Sequence, residues 1–289
     1  MIKTALIGHG YWGSILLRYL KADKRFSVRH ICNSKTDMSQ VWPDVKVVVV
    51  ATPIDTHYHV VKEALLQNKH VFSEKPLALK TEECLELQKL AEEKGLILAV
   101  EYTQTFSKSL KKAAEEIDIG KIRAIEMSVK QLGRFLKRDV YWLMASHCLS
   151  ILDMFVPLQK LEFRRLDFIT DGKRAETGQI LFWNEQTKGQ ISLSLNFPGK
   201  EYQVVVYGKR GTIVYDTTTK PTLKVTWYRK TPKKLPPDLI IKEKSWAIDE
   251  KNNLKHAVDY FYKVLKGKEK TNLKRAIKVT EILENLSIS

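Results

Sequence analysis

Within its first twenty residues the chain passes from strand to glycine turn to helix. Residues 2–7, Ile-Lys-Thr-Ala-Leu-Ile, form a short apolar run of strand type. The run stops at Gly8-His9-Gly10-Tyr11-Trp12-Gly13, a G-x-G-x-x-G, and from Ser14 to Leu20 apolar residues recur at helical spacing. In that context each glycine answers a separate steric demand. Gly8 permits the tight turn, Gly10 has no side chain to block a pyrophosphate, and Gly13 lets helix and strand approach closely. The first helical turn offers free N–H groups and the positive end of the helix dipole to phosphate. The stretch therefore predicts the opening unit of a dinucleotide-binding Rossmann fold; a glycine turn without a ligand is the alternative.

Phe26 to Cys32 reads as a second strand, followed by Asn33-Ser34-Lys35. A dinucleotide fold places an acidic residue on the ribose 2′-OH about 20 positions after the glycine turn. Asn33 stands there instead, which removes repulsion toward a 2′-phosphate, and Ser34 and Lys35 can donate to one. NADP is favoured over NAD, with both open. The stretch after Lys35 is too short for a full crossover helix. Val45 to Ala51 is a β-branched run of the kind found in central parallel strands. Thr52-Pro53 ends it, and Ile54-Asp55-Thr56-His57 opens a helix through Asn68, with Asp55 or Thr56 as N-cap. Val71-Phe72 leads into Ser73-Glu74-Lys75-Pro76. Thr81 is expected to cap a helix that ends at Gly95, and Leu96 to Val100 forms one more strand.

Repeated strand–helix units of this kind predict an α/β architecture, an N-terminal Rossmann domain with a doubly wound parallel sheet over residues 1–119. After an amphipathic helix from Ser107 to Asp118, Gly120 marks a boundary and the pattern turns strand-rich: Ile122–Gln131, Leu161–Thr170, Glu176–Trp183, Gly189–Phe197, Tyr202–Tyr207, Thr212–Asp216 and Leu223–Tyr228. Residues 120–289 are expected to form an α+β substrate and oligomerisation domain. Its features would be a large open, mainly antiparallel sheet, one helix inserted around Tyr141–Phe155, and closing helices at Leu254–Leu265 and Leu273–Leu286.

The formal net charge of +16 raises the question of nucleic acid or an anionic membrane as partner. The cations are mostly lysines spread along the chain, with modest clusters such as Lys230 with Lys233-Lys234, and no nucleic-acid-binding motif accompanies them. Neither nucleic acid nor membrane is expected as a partner. The longest apolar run, Val45 to Ala51, is far short of a bilayer span. Met1 leads almost directly into the first strand, without a signal or transit pattern. Cys32, Cys84 and Cys148 show no C-x-x-C spacing, so a reducing cytoplasm is the expected location. His57 and His59 are two apart at a helix start and face different directions, and no metal is expected.

Three stretches together resemble one family. The glycine turn with Tyr11-Trp12, Ala51-Thr52-Pro53 followed by Glu74-Lys75-Pro76, and His147 on a mid-chain helix are similar to the Gfo/Idh/MocA oxidoreductases. Trp142, Ala145, His147, Ser150 and Ile151, after Leu132-Gly133-Arg134, look closest to the branch acting on UDP-amino sugars at C3. The resemblance extends to His256-Ala257-Val258-Asp259-Tyr260-Phe261 and Gly267-Lys268. It implies an NAD(P)-dependent dehydrogenase or reductase acting on a CH–OH group of a sugar or nucleotide sugar, and a homodimer or homotetramer. The site it implies has Lys75 and His147 as catalytic residues. Gly8, His9, Gly10, Tyr11, Trp12, Gly13, Asn33, Ser34, Lys35, Ala51, Thr52, Pro53, His57, Glu74 and Lys75 would bind the cofactor. An ammonium at the carboxyl end of a parallel strand, as at Lys75, can polarise a carbonyl or stabilise an alkoxide.

The chain departs from the family pattern near its chemistry. Where many members carry Asp one helical turn before the histidine, this chain has Leu143. Cys148 and Ser150 occupy further positions where branches place Asp, and Asp153 lies on another helix face from His147. Cys148 reads as a small core residue rather than a nucleophile. The family's G-x-N stretch is Glu101-Tyr102-Thr103-Gln104, although Phe106-Ser107 fits. Either Lys75 and His147 suffice, with help from Tyr102 or Tyr141, or the chain is a non-catalytic NAD(P)-binding sensor or scaffold.

Overall fold

The computed structural model of the chain describes residues 1–133, 138–172, 174–231 and 239–288. Arg134, Lys233 and Lys234 lie outside them. The chain divides into two compact units: Met1–Phe106 with Asn252–Glu284, and Ser107–Lys251 with Asn285–Ser289. The expected boundary at 119/120 differs from this division at both ends. The helix after Phe106 goes with the second unit, and the C-terminal helices return to the first.

The first unit is built on five parallel strands, β1 (Ile2–Ile7), β2 (Phe26–Cys32), β3 (Val47–Val50), β4 (His70–Glu74) and β5 (Leu98–Glu101), in the order β2-β1-β3-β4-β5. Both faces are covered, which is why β3 is valine throughout. Val48 and Val50 pack on the side of α2 (His57–Leu66), α3 (Thr81–Glu93) and the start of α7 (Leu273–Ile288). Val47 and Val49 face α1 (Tyr11–Ala22) and α6 (Asn253–Leu265). The link from β2 to β3, through Val41 and Trp42, packs on the α2 and α3 side, so of the crossover segments α1 is left to cover the other face and cannot do so alone. Helix α6 fills the remainder: the Phe261 ring stacks on Phe72 of β4 at 4.6 Å and lies 6.4 Å from Phe26 of β2. The edge of β5 is closed by Asn272, whose Oδ1 accepts from Val100 N–H at 2.9 Å and whose Nδ2 donates to Val100 O at 2.7 Å.

One expected helix cap keeps its place without a side-chain cap bond, and the other is corrected. Thr56 holds the N-cap position of α2, but its hydroxyl donates to Pro53 O at 2.7 Å, following a 3-10 turn at Ile54–Thr56. Thr81 is the first residue of α3, not its cap; its N–H donates to Glu284 Oε2 of α7 at 2.8 Å. The carboxylate at that helix start comes from a distant part of the sequence.

The second unit holds a mixed eight-stranded sheet. In chain order its strands are β6 (Ile122–Leu132), β7 (Glu162–Asp171), β8 (Arg174–Trp183), β9 (Lys188–Ser194), β10 (Asn196–Gly208), β11 (Gly211–Asp216), β12 (Leu223–Tyr228) and β13 (Ile240–Trp246). They lie side by side as β13-β12-β11-β10-β6-β9-β8-β7. Among the described residues of this sheet, only β6 and β9 pair in parallel. Strand β13, outside the expected set, lies antiparallel to β12, with Lys242 opposite Trp227. Also in this unit are α4 (Lys108–Glu115), a π-helical turn at Tyr141–Ala145 and α5 (Ser146–Phe155). Among the described residues no helix is long and apolar enough to cross a membrane.

Candidate functional site

All five strands of the first unit are parallel, so the segments leaving their carboxyl ends meet along one edge of the sheet. Chain order reverses between β1 and β3, and the crevice at such a switch point is where open α/β sheets bind ligands. The glycine turn follows β1. Gly8 sits at φ +96°, and a Cβ on it would lie 2.5 Å from Ala51 C. A Cβ on Gly13 would lie 1.9 Å from Gly8 O, whereas one on Gly10 would meet nothing within 4 Å. Gly8 and Gly13 are thus demanded by the protein's own packing, and Gly10 borders open space. Gly10 is also the N-cap of α1, makes no side-chain cap, and has no acidic residue after it in the first turn. The helix N–H groups and positive dipole end remain available to phosphate. His9, Tyr11 and Trp12 are exposed, the two aromatic rings meeting edge to face at 5.4 Å.

Two hydrogen bonds draw neighbouring strand ends to this turn: Gly8 N–H to Cys32 O at 2.9 Å, and Ala51 N–H to Ile7 O at 2.8 Å. Beyond Cys32, Asn33, Ser34 and Lys35 are all exposed. Asn33 Oδ1 accepts from Lys35 N–H at 2.9 Å, so this oxygen shapes the turn itself.

Ala51-Thr52-Pro53 and Glu74-Lys75-Pro76 leave β3 and β4 at the same edge. His57 ties them together. It is 2% exposed, with Nδ1 2.7 Å from Pro76 O and Nε2 2.9 Å from Thr52 O. Burial pushes its pKa below the ordinary 6.5, with the Lys75 ammonium acting the same way and the two carbonyls opposing. A neutral ring has one N–H, so one of the two contacts is the hydrogen bond at any moment. His57 therefore acts on the site through the backbone of Thr52 and of Pro76, beside Lys75, with its buried ring as a clamp between them.

Glu74 and Glu101 are the last residues of β4 and β5 and are paired in register. Glu74 is 8% exposed and Glu101 1%. Two ionised carboxylates at the strand spacing of about 5 Å would repel by roughly 3 kcal/mol at an effective dielectric of about 20. Burial pushes the Glu74 carboxyl up to about 7, against the pull of the Lys75 ammonium. Burial, and next the charge of Glu74, push Glu101 well above the carboxylate range. Glu101 was visible in the sequence only as a departure from G-x-N; its partner Glu74 is 27 positions away, and strand register alone brings them together.

His147 lies on α5 of the second unit and is half-buried, with Leu143 one turn before it in the π-helical segment. Asp139, nearby in sequence, is committed elsewhere: Arg165 Nη2 donates to its Oδ2 at 2.6 Å and Tyr141 N–H to its Oδ1 at 2.9 Å. Tyr141 is corrected as a possible helper. It is 1% exposed, and its hydroxyl donates between Leu166 O at 2.8 Å and Asp167 Oδ1 at 2.9 Å. Cys148 is buried in the core, as are Cys32 and Cys84. Exposed His59 turns away from buried His57, and among the described residues no three His, Cys, Asp or Glu side chains gather as for a metal ion.

Residues 24–102 match the model of the Gfo/Idh/MocA family, an oxidoreductase family with an NAD-binding Rossmann fold. Residues 24–102 are thus similar to the Rossmann unit of that family. A 2,7-anhydro-N-acetylneuraminate hydratase of Mediterraneibacter gnavus is 28% identical over 137 residues, 42% of this chain and 37% of that protein. The chain thus spans less than half the length of the curated relatives it matches first. Among solved structures, a UDP-N-acetylglucosamine 3-dehydrogenase from Acidithiobacillus ferrooxidans superposes with a TM-score of 0.88 at 16% identity, over 99% of this chain and 96% of the other. A variant of a 3-ketoreductase from Actinomadura kijaniata, in complex with TDP-benzene and NADP, gives 0.81 at 17% identity, over 99% and 96%. At such identities the likeness is one of fold, and it runs over both units of the chain.

Proposed function

We propose that the chain is an NAD(P)-dependent oxidoreductase that moves a hydride between nicotinamide and the CH–OH or carbonyl carbon of a sugar or nucleotide sugar. The observation that carries this reading is Glu74-Lys75-Pro76 on the same sheet edge as a glycine turn whose one open glycine is Gly10. The turn from Gly8 to Gly13 holds the pyrophosphate, and Asn33, Ser34 and Lys35 flank the adenine ribose. Ser34 and Lys35 are exposed and able to donate to a 2′-phosphate, which favours NADP over NAD. Ala51, Thr52 and Pro53, steadied by His57, line the approach to the nicotinamide. A bound nicotinamide supplies the hydride acceptor or donor. Lys75 stabilises the oxygen that gains charge at the reacting carbon; for His147, in the second unit, the resemblance implies a substrate-facing role. The open sheet of the second unit is the surface by which a homodimer or homotetramer would form.

The test is to mix the protein with NADPH or NAD and a panel of UDP- and TDP-sugars, following absorbance of the reduced cofactor. Turnover that falls by about 10²–10⁴-fold in Lys75→Ala, with cofactor affinity kept, supports the enzyme. Leu143, where a carboxylate would complete a pair with His147, favours a second reading, a cofactor-binding sensor or scaffold. Tight cofactor binding with no turnover on any substrate selects that reading.

A further inference from the structure

We propose that Glu74 and Glu101 hold one proton between them and exchange it with Nζ of Lys75, an acid/base site in place of the carboxylate that Leu143 lacks. This rests on the hydride-transfer reading and names the groups that handle its proton.

Register carries the inference. Residues paired across parallel strands point to the same face, and Glu74 and Glu101 are such a pair at the carboxyl edge of β4 and β5. Two positions earlier on that face Phe72 and Ala99 pack with Leu6 and Phe261, so apolar side chains close the pair from below. Glu101 Oε2 accepts from the Thr103 hydroxyl at 2.7 Å. Among the described residues, Oε1 of each glutamate is buried without a hydrogen-bond partner. Buried carboxyl oxygens rarely stay so, and a proton on one of them supplies a donor where the neighbours offer none. The ionisable groups acting on the pair are the two carboxyls themselves and Lys75. One ionised carboxyl offsets that ammonium; the other is kept neutral by burial. Packing does not explain Glu101, because a small residue serves the same face at Ala99.

In the oxidising direction the O–H bond of the sugar hydroxyl breaks. Its proton passes to Nζ of Lys75 as Nζ releases another to the ionised member of the pair. The electron pair left on oxygen becomes the second bond of the carbonyl, and a bound nicotinamide would be the acceptor of the hydride that the carbon gives up. The lysine ends as the ammonium it was, and the doubly protonated pair returns one proton to solvent. Reduction runs the same steps backwards.

Infrared spectroscopy of the full chain at about pH 8.5, above the value of about 7 to which burial raises Glu74, reads the held proton directly, as a carbonyl band of a protonated carboxyl group. The band is expected in the wild type and lost in Glu101→Gln, because the remaining carboxyl then ionises against Lys75. Glu74→Gln gives the same decision should the first variant not fold. Absence of the band in the wild type, or its persistence in the folded variants, overturns the proposal whatever the catalysis does. With a turned-over sugar, kcat of Glu101→Gln is expected to fall at least tenfold and its pH profile to lose the limb set by the pair. Cofactor affinity should change less than about threefold. An unchanged pH profile also overturns the site. Failure of the wild type to bind nicotinamide dinucleotide would instead sink the hydride-transfer reading, leaving the infrared result to judge the pair by itself.

Discussion

Gly10 and Gly13 stand three residues apart in one turn, yet the structure assigns their missing side chains to different partners. Gly13→Ala puts a methyl group 1.9 Å from Gly8 O, so it is expected to unseat α1 from β1 and to cost several degrees in Tm. Gly10→Ala has open space and ordinary backbone angles, φ −80° and ψ −160°, and is expected to leave Tm within about a degree. The same methyl intrudes where a pyrophosphate would approach, so cofactor affinity should drop about tenfold or more. Paired thermal and fluorescence titrations check both; equal behaviour of the two variants would refute the division of roles. The buried carboxyls have a residue-level signature as well. Glu74 is raised from 4.5 to about 7 and Glu101 well above 4.5, so the folded chain binds protons that the unfolded chain has released. Their stabilisation is complete below pH 4.5 and is lost as pH rises through 7 and beyond. His57, lowered from 6.5, has the opposite sign but acts only below that value. Above about pH 6.5 the Tm is therefore expected to fall with pH, and Glu101→Gln should flatten the fall. A wild-type Tm that rises between pH 6.5 and 8 would contradict this.

Among the elements, α6 shows how the first unit depends on sequence far from it. Its hydrophobic face, Leu254, Ala257, Val258 and Phe261, covers the half of the sheet that α1 leaves bare. Phe261→Ala is expected to destabilise the first unit by about 3–5 kcal/mol, through lost burial and the cavity left between Phe26 and Phe72. Chemical denaturation measures the effect, and a loss below about 1 kcal/mol would mean that α6 is not part of this core. Helical periodicity announced α6 and α7 as helices but could not assign them to a unit, because an apolar stripe records that a face is buried without recording against what. The expected cap at Thr81 failed for a related reason. Thr81 has the composition of a cap, and a glutamate some 200 residues later supplies the acceptor. Strand β13 has alternating Lys and Glu within it and little apolar character, so it was not legible until paired with β12.

For the molecule as a whole, the net charge of +16 has an organisation that its sequence concealed. The cations are scattered along the chain, but in the second unit Arg123, Lys209, Arg210, Arg229, Lys230 and Lys242 line one cavity of about 670 Å³ beside Trp227. Spacing could not show this, since these cations come from β6, from β13 and from the segments that follow β10 and β12. The sequence by itself determined the local architecture: a β-branched run that must be covered on both faces, glycines where backbone meets backbone, helices with one apolar stripe. It also determined the edge on which Lys75 stands, because every βα connection in a parallel sheet leaves from the same end. Tertiary structure alone decided which distant segments complete that unit, that His57 clamps the loops beside Lys75, and that Glu101 lies against Glu74. These are consequences of strand register and of sheet faces left uncovered by their own crossovers, and both are settled only when segments far apart in the chain compete for the same hydrogen bonds and the same apolar surface.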